Sequence, residues 1–211
     1  MSDACCSHGC AAATTVAHGP RYRRVLWIAL LINAAMFALE LAAGLRAGSV
    51  SLLADAVDFF GDAANYGVSL FVLGMALTWR ARAALLKGLT MGAFGLFVLG
   101  RAGWSATTGT LPEPVTMGAI GTLALVANGA VAWMLYAWRE GDANLRSVWL
   151  CSRNDAIGNL AVLAAALGVF GTGTAWPDLV VAAVMGVLAM TSARAVVVQA
   201  RHELRPPAVA A

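Results

Sequence analysis

The sequence predicts an all-α integral membrane protein of six transmembrane helices, with both termini in the cytoplasm. Three observations carry this. Of 211 residues, 60% are hydrophobic and 12% charged, whereas about a quarter of an ordinary soluble domain is charged. A soluble core cannot hide that much apolar surface, and neither a disordered nor a collagen-like chain has this composition. The apolar residues fall into six segments, each long enough to cross a hydrocarbon layer of about 30 Å. Lysine and arginine gather on one side of those segments.

The elements follow in order. Residues 1–20 form a cytoplasmic tail ending in Gly19-Pro20, without the basic start and apolar run of a signal peptide. The membrane domain occupies 21–200, with apolar segments over 25–45, 50–77, 84–104, 115–138, 144–170 and 178–199. Polar breaks at 107–114 (TTGTLPEP), 139–142 (REGD) and 171–177 (GTGTAWP) separate the later segments. A short cytoplasmic tail, 201–211, closes the chain. Runs this long are helices, because lipid tolerates only helices or closed barrels. Eleven basic residues fall on one side: Arg21, Arg23, Arg24, Arg80, Arg82, Lys87, Arg139, Arg146, Arg194, Arg201 and Arg205. Two, Arg46 and Arg101, fall on the other. That asymmetry places the first group in the cytoplasm. The net charge of +3 is too small to imply a nucleic-acid partner.

Segment two carries Asp55, Asp58 and Asp62 at i, i+3 and i+7, on one helix face. An aspartate at the centre of a membrane helix costs about 2.5–3.5 kcal/mol, so such a cluster faces a cavity, a partner charge or an ion. Asp55 lies nearest the outer interface, where hydration alone would account for it; a place on the cation path is the other reading. Segment five carries Cys151 and Asp155, four apart on one face. At about 1.5 Å per residue, Asp58 and Asp62 lie roughly 12 and 18 Å below the outer face. By the same rise, Asp155 and Cys151 lie roughly 14 and 20 Å below it. Asp58 thus levels with Asp155 and Asp62 with Cys151, as in one four-ligand site near the midplane.

Three carboxylates and a thiol do not suit magnesium, which keeps oxygen ligands and water. They suit zinc or cadmium. Four negative charges cannot persist together in low dielectric, so the empty set holds protons, and an arriving metal expels them. That competition is a means of exchanging a divalent cation for protons.

The stretch Ser51–Asp62 (SLLADAVDFFGD) resembles the second-helix motif of the cation diffusion facilitator family, with Asp58 and Asp62 in its paired positions. Arg146–Asn159 (RSVWLCSRNDAIGN) resembles the fifth-helix motif, with Cys151 and Asp155 in the paired positions. The resemblance covers about residues 21–200. It implies a homodimeric exporter of zinc, cadmium, cobalt, iron or manganese that works as a metal/proton antiporter. It also implies a transport site of Asp58, Asp62, Cys151 and Asp155. Many members carry His where this chain has Cys151, a change that favours softer ions. Most also carry a cytoplasmic metal-binding domain after helix six, whereas here the sequence runs only about a dozen residues further.

Cys5, Cys6, His8 and Cys10 put three thiols and an imidazole within six residues. In a reducing compartment they favour metal over disulfides. A metal-capturing tail is one reading and adventitious binding the other. Asn33 and Glu40, seven apart in segment one, either line the cation path or bond between helices, and Asn128 is read the same way. Asn154 and Asn159 are expected to orient Asp155. Gly44, Gly61, Gly67 and Gly74 are expected to permit close helix packing.

The leading expectation is therefore an exporter of zinc or cadmium, with cobalt a further candidate, working against protons. Its partners are these cations, protons, the lipid bilayer and a second copy of the chain, with no permanently bound cofactor. The alternative is a membrane metal sensor that acts through its tail. An enzyme is not expected, since no His-Glu-x-x-His or comparable constellation occurs. Abundant Ala, Val and Gly beside a single Lys point to a GC-rich bacterial genome, hence a bacterial inner membrane.

Overall fold

The computed structural model describes residues 20–71, 77–138 and 143–204. They form six α-helices: α1 (Pro20–Ala47), α2 (Val50–Phe71), α3 (Leu77–Thr108), α4 (Pro114–Leu135), α5 (Ala143–Thr172) and α6 (Trp176–Glu203). A single 3-10 turn, Tyr136–Trp138, follows α4, and no strand occurs among the described residues. Five of these helices are long and apolar enough to cross a membrane. The exception is α2, whose three aspartates lower its hydropathy.

Helix α3 begins at Leu77 rather than near 84; the last residues expected of segment two, 72–76, fall outside the described ones. A helix needs no apolar side chains once it leaves lipid, so the polar run Thr78–Arg82 continues α3 beyond the hydrophobic layer.

The helices pack chiefly as antiparallel pairs: α1 with α2, α4 with α5, and α3 with α6. Small residues set the spacing. A Cβ at Gly44 would stand 3.0 Å from Leu53, and one at Gly61 would stand 3.1 Å from Met91. At Gly67 nothing lies within 4 Å, so that glycine permits no contact; Gly74 lies outside the described residues. The closest approaches are ones the sequence did not mark. In the α3–α6 seam a Cβ at Gly88 would meet Val197 at 2.9 Å, and one at Gly186 would meet Leu99 at 2.8 Å.

The first half of α2 is buried on every side, from Val50 to Val57, because α1, α3, α5 and α6 all pack against it. An apolar core at the end read as outer joins Leu52, Leu53, Val57, Val98, Met117, Val162, Val169, Leu179 and Met185. A second core at the opposite end joins Tyr22, Leu26, Tyr66, Val131 and Leu135. Between them lies a small third cluster of Met36, Phe59 and Ala124, and buried polar residues interrupt this apolar packing. Large apolar side chains, Trp133 and Phe170 among them, point outward from the bundle, as lipid-facing positions do.

The start of α2 is a buried helix end, and its first N–H groups need acceptors. Gly48, at φ 67°, turns the chain out of α1 in the left-handed region that favours glycine. Gly109 and Gly173 end α3 and α5 the same way. Ser49 Oγ then accepts from Leu52 N at 3.2 Å, as an N-cap does. The remaining need is met from the far end of the chain. The Asp178 carboxylate accepts from Val50 N at 2.8 Å, Ser51 N at 3.1 Å and Ser49 Oγ at 2.7 Å. Asp178 thereby ties the beginning of α6 to the beginning of α2.

Asp178→Ala removes three hydrogen bonds at a buried helix start. The expected cost is about 2–4 kcal/mol, read as a lower melting temperature of the detergent-solubilised protein. An unchanged melting temperature would show that Ser49 alone suffices as the cap.

Candidate metal site and its polar surroundings

The two aspartate-bearing segments face each other. Helix α2 runs antiparallel to α5, and Asn159 Nδ2 of α5 donates to Asp55 Oδ2 of α2 at 2.6 Å. That bond fixes the register. One helical turn further along the pair, Asp58 stands level with Asp155, and another turn on, Asp62 stands level with residue 151. The Asp155 side chain reaches diagonally to Asp62, where the two carboxyl groups come within hydrogen-bond reach. Two carboxyl groups hold such a contact only around a proton or a cation.

Asp62 is buried, and the Tyr66 hydroxyl donates to its Oδ2 at 3.4 Å. Asp58 and Asp155 are half-buried. Cys151 and Asn154 belong to α5, but their side chains lie outside the described ones. Among the described residues no three His, Cys, Asp or Glu converge as a ready-made metal centre; the carboxyl pair of Asp62 and Asp155 is what the fold brings together. Cys5, Cys6, His8 and Cys10 also lie outside the described residues.

Lys87, counted with the charges of the cytoplasmic side, also belongs to this level: it stands within α3, its ammonium donates to Asn65 Oδ1, and its positive charge reaches Asp62. The signal was available: Lys87 is the single lysine of the chain and lies inside the apolar run over 84–104.

A second polar level lies one to two turns from the first, toward the end read as outer. Asn128 Nδ2 of α4 donates to Asn159 Oδ1 at 3.0 Å, and Asn159 in turn donates to Asp55. Asp55 faces Glu40 of α1, close enough for the two carboxyls to interact directly. All four residues are buried. Three expectations change here. Asp55 is 2% exposed, so the hydrated reading fails. Asn159 orients Asp55, not Asp155, because it lies one turn beyond Asp155 and faces the start of α2. Asn33 bonds within its own helix, Nδ2 to Ala29 O at 2.8 Å, rather than across helices. Asn128 does bond between helices.

The family model of the cation efflux transmembrane domain matches residues 26–204. No curated protein matches the chain.

Asn159→Ala severs both links of the buried chain and strands Asp55 and Asn128. The expected loss is about 2–4 kcal/mol, against about 1 kcal/mol for Asn128→Ala, which removes the terminal link alone. Melting temperatures in detergent compare the two; equal losses would contradict the chain as described.

Proposed function

The chain belongs to the cation efflux family, and from that premise we propose that it exports zinc or cadmium, with cobalt a further substrate, in exchange for protons. The cytoplasmic membrane of a bacterium is its proposed location. The observation that carries this reading is the meeting of Asp62 and Asp155 inside the bundle, with Asp58 one turn along α2 and Cys151 one turn along α5.

The chemistry follows from the donor types. Carboxylates alone favour hard cations, and a thiolate shifts the preference to zinc and cadmium. Each ligand must lose its proton to bind, so metal and proton compete for the same oxygens and sulfur. A cation entering from the cytoplasm displaces protons toward that side. After the site opens outward, protons from outside displace the cation. The moving parts are α2 and α5, which carry the ligands, against α3 and α6, which pack on each other through small residues. Lys87 supplies a tethered positive charge beside Asp62. It offsets part of the carboxylate charge when no metal is present, and so eases the return of the empty carrier.

Purified protein in vesicles, with a metal-sensitive and a pH-sensitive dye inside, tests the reading. Metal influx with opposite proton movement is expected from the wild type. Asp58→Ala and Asp155→Ala should each lose it at least about a hundredfold, with insertion intact. Normal flux in either variant at matched expression would overturn the site. Cys151→Ser is expected to lower cadmium transport about tenfold relative to cobalt; an unaltered ratio would remove the sulfur from the ligand set.

A further inference from the structure

Glu40 is fully buried midway along the outer half of α1, and among the described residues no amide, hydroxyl or cationic donor reaches either of its carboxyl oxygens. The group it faces is another carboxyl, Asp55, which is buried as completely. Both amide nitrogens behind Asp55 are already engaged, Asn159 Nδ2 on Asp55 and Asn128 Nδ2 on Asn159, and neither bonds Glu40. Asn128 Oδ1 is also buried without a partner. Every unmet atom of this four-residue chain is therefore an oxygen acceptor. Among the described residues no Lys, Arg or His pairs with either carboxyl, and the one further charge that reaches Glu40 is Asp58. Two buried carboxyls cannot stand side by side without something positive between them. The missing species is small, because the helices close around the pair. A hard metal ion would need six or more oxygens, far more than the pair offers.

We propose that Glu40 and Asp55 form a proton-holding pair, separate from the metal ligands, that carries one counter-ion of transport in addition to the protons the ligands exchange. This rests on the antiport reading above. A proton on one carboxyl lets it donate to the other, and Asn159 holds Asp55 in place for that bond. The link to the metal site is electrostatic and runs from Glu40 to Asp58. With the metal site empty, the Asp58 carboxylate attracts a proton to the pair. A divalent cation at Asp58 reverses that field and repels the proton. The pair lies between Asp58 and the end read as outer, so its proton comes from the outer water as metal departs. It leaves toward the cytoplasm when the next metal binds. The only bonds made and broken are O–H bonds.

Glu40→Gln keeps the shape of the side chain and removes its capacity to lose a proton; Asp55→Asn does the same for its partner and serves where Glu40→Gln does not fold. The probes are zinc and cadmium. Proton release per metal bound is measured by calorimetry in buffers of different ionisation enthalpy, and coupling is measured in the dye-loaded vesicles. In the variants, proton release is expected to fall by about one per metal, and the response of metal flux to a pH gradient to become correspondingly shallower. Metal affinity at fixed pH should stay within about threefold. Glu40→Asp, which keeps a proton, should retain the coupling. Unchanged proton release and unchanged coupling in Glu40→Gln, from a coupled wild type, overturn this proposal alone. Loss of bound metal from Glu40→Gln also overturns it, in favour of a metal ligand. A wild type that moves metal without protons overturns both this proposal and the antiport reading.

Discussion

The rest of the structure depends on one requirement: a helix carrying three aspartates has to be kept out of lipid. Each such side chain at a bilayer centre costs about 2.5–3.5 kcal/mol, so α2 cannot stand at the rim of the bundle. It stands inside, with four of the other helices against it and buried residues all round its first half. Those neighbours then carry the lipid-facing surface, which explains their long apolar runs and their outward tryptophans and phenylalanines. The same burial takes the beginning of α2 away from water. Its orphaned N–H groups must be met by protein, and Ser49 and Asp178 meet them.

Two polar levels of different character result. The outer one is fully buried: hydrogen bonds run from Asn128 through Asn159 to Asp55, joining α4, α5 and α2, and Glu40 of α1 lies against Asp55. The inner one is less enclosed. Asp58 and Asp155 are half-buried, and the Tyr66 bond to Asp62 is long at 3.4 Å. A fully buried network specifies an arrangement, whereas a half-buried level leaves its carboxyl groups partly accessible.

Much of this was legible in the sequence. The six helices followed from length, apolarity and the arginine count. The face shared by Asp58 and Asp62, and the antiparallel level of Asp155, followed from helical rise alone. What stayed hidden was which groups touch. Asn159 was read as a support for Asp155 from its spacing of four; in the fold it turns to Asp55 and Asn128. Lys87 enters the sequence only as one of the cytoplasmic-side charges, and a count of positive residues does not show that it bonds Asn65 of α2. Asp178 stands at the start of a helix like many acids, and nothing local in the sequence shows that its partners lie 127 to 129 residues away.

The sequence by itself determined the class of the protein, the number of its helices, the facing of its acids and its kinship with the cation efflux family. These are properties of composition and period, set by the cost of placing charge and free backbone groups in lipid. The tertiary structure decided that Asp62 and Asp155 meet, that Lys87 looks inward, and that Glu40 lies against Asp55 with no donor to satisfy it. Such pairings depend on the rotation and closeness of helices far apart in the chain. Residues such as Gly88 and Gly186 set these by letting backbones approach. One-dimensional spacing carries no trace of them.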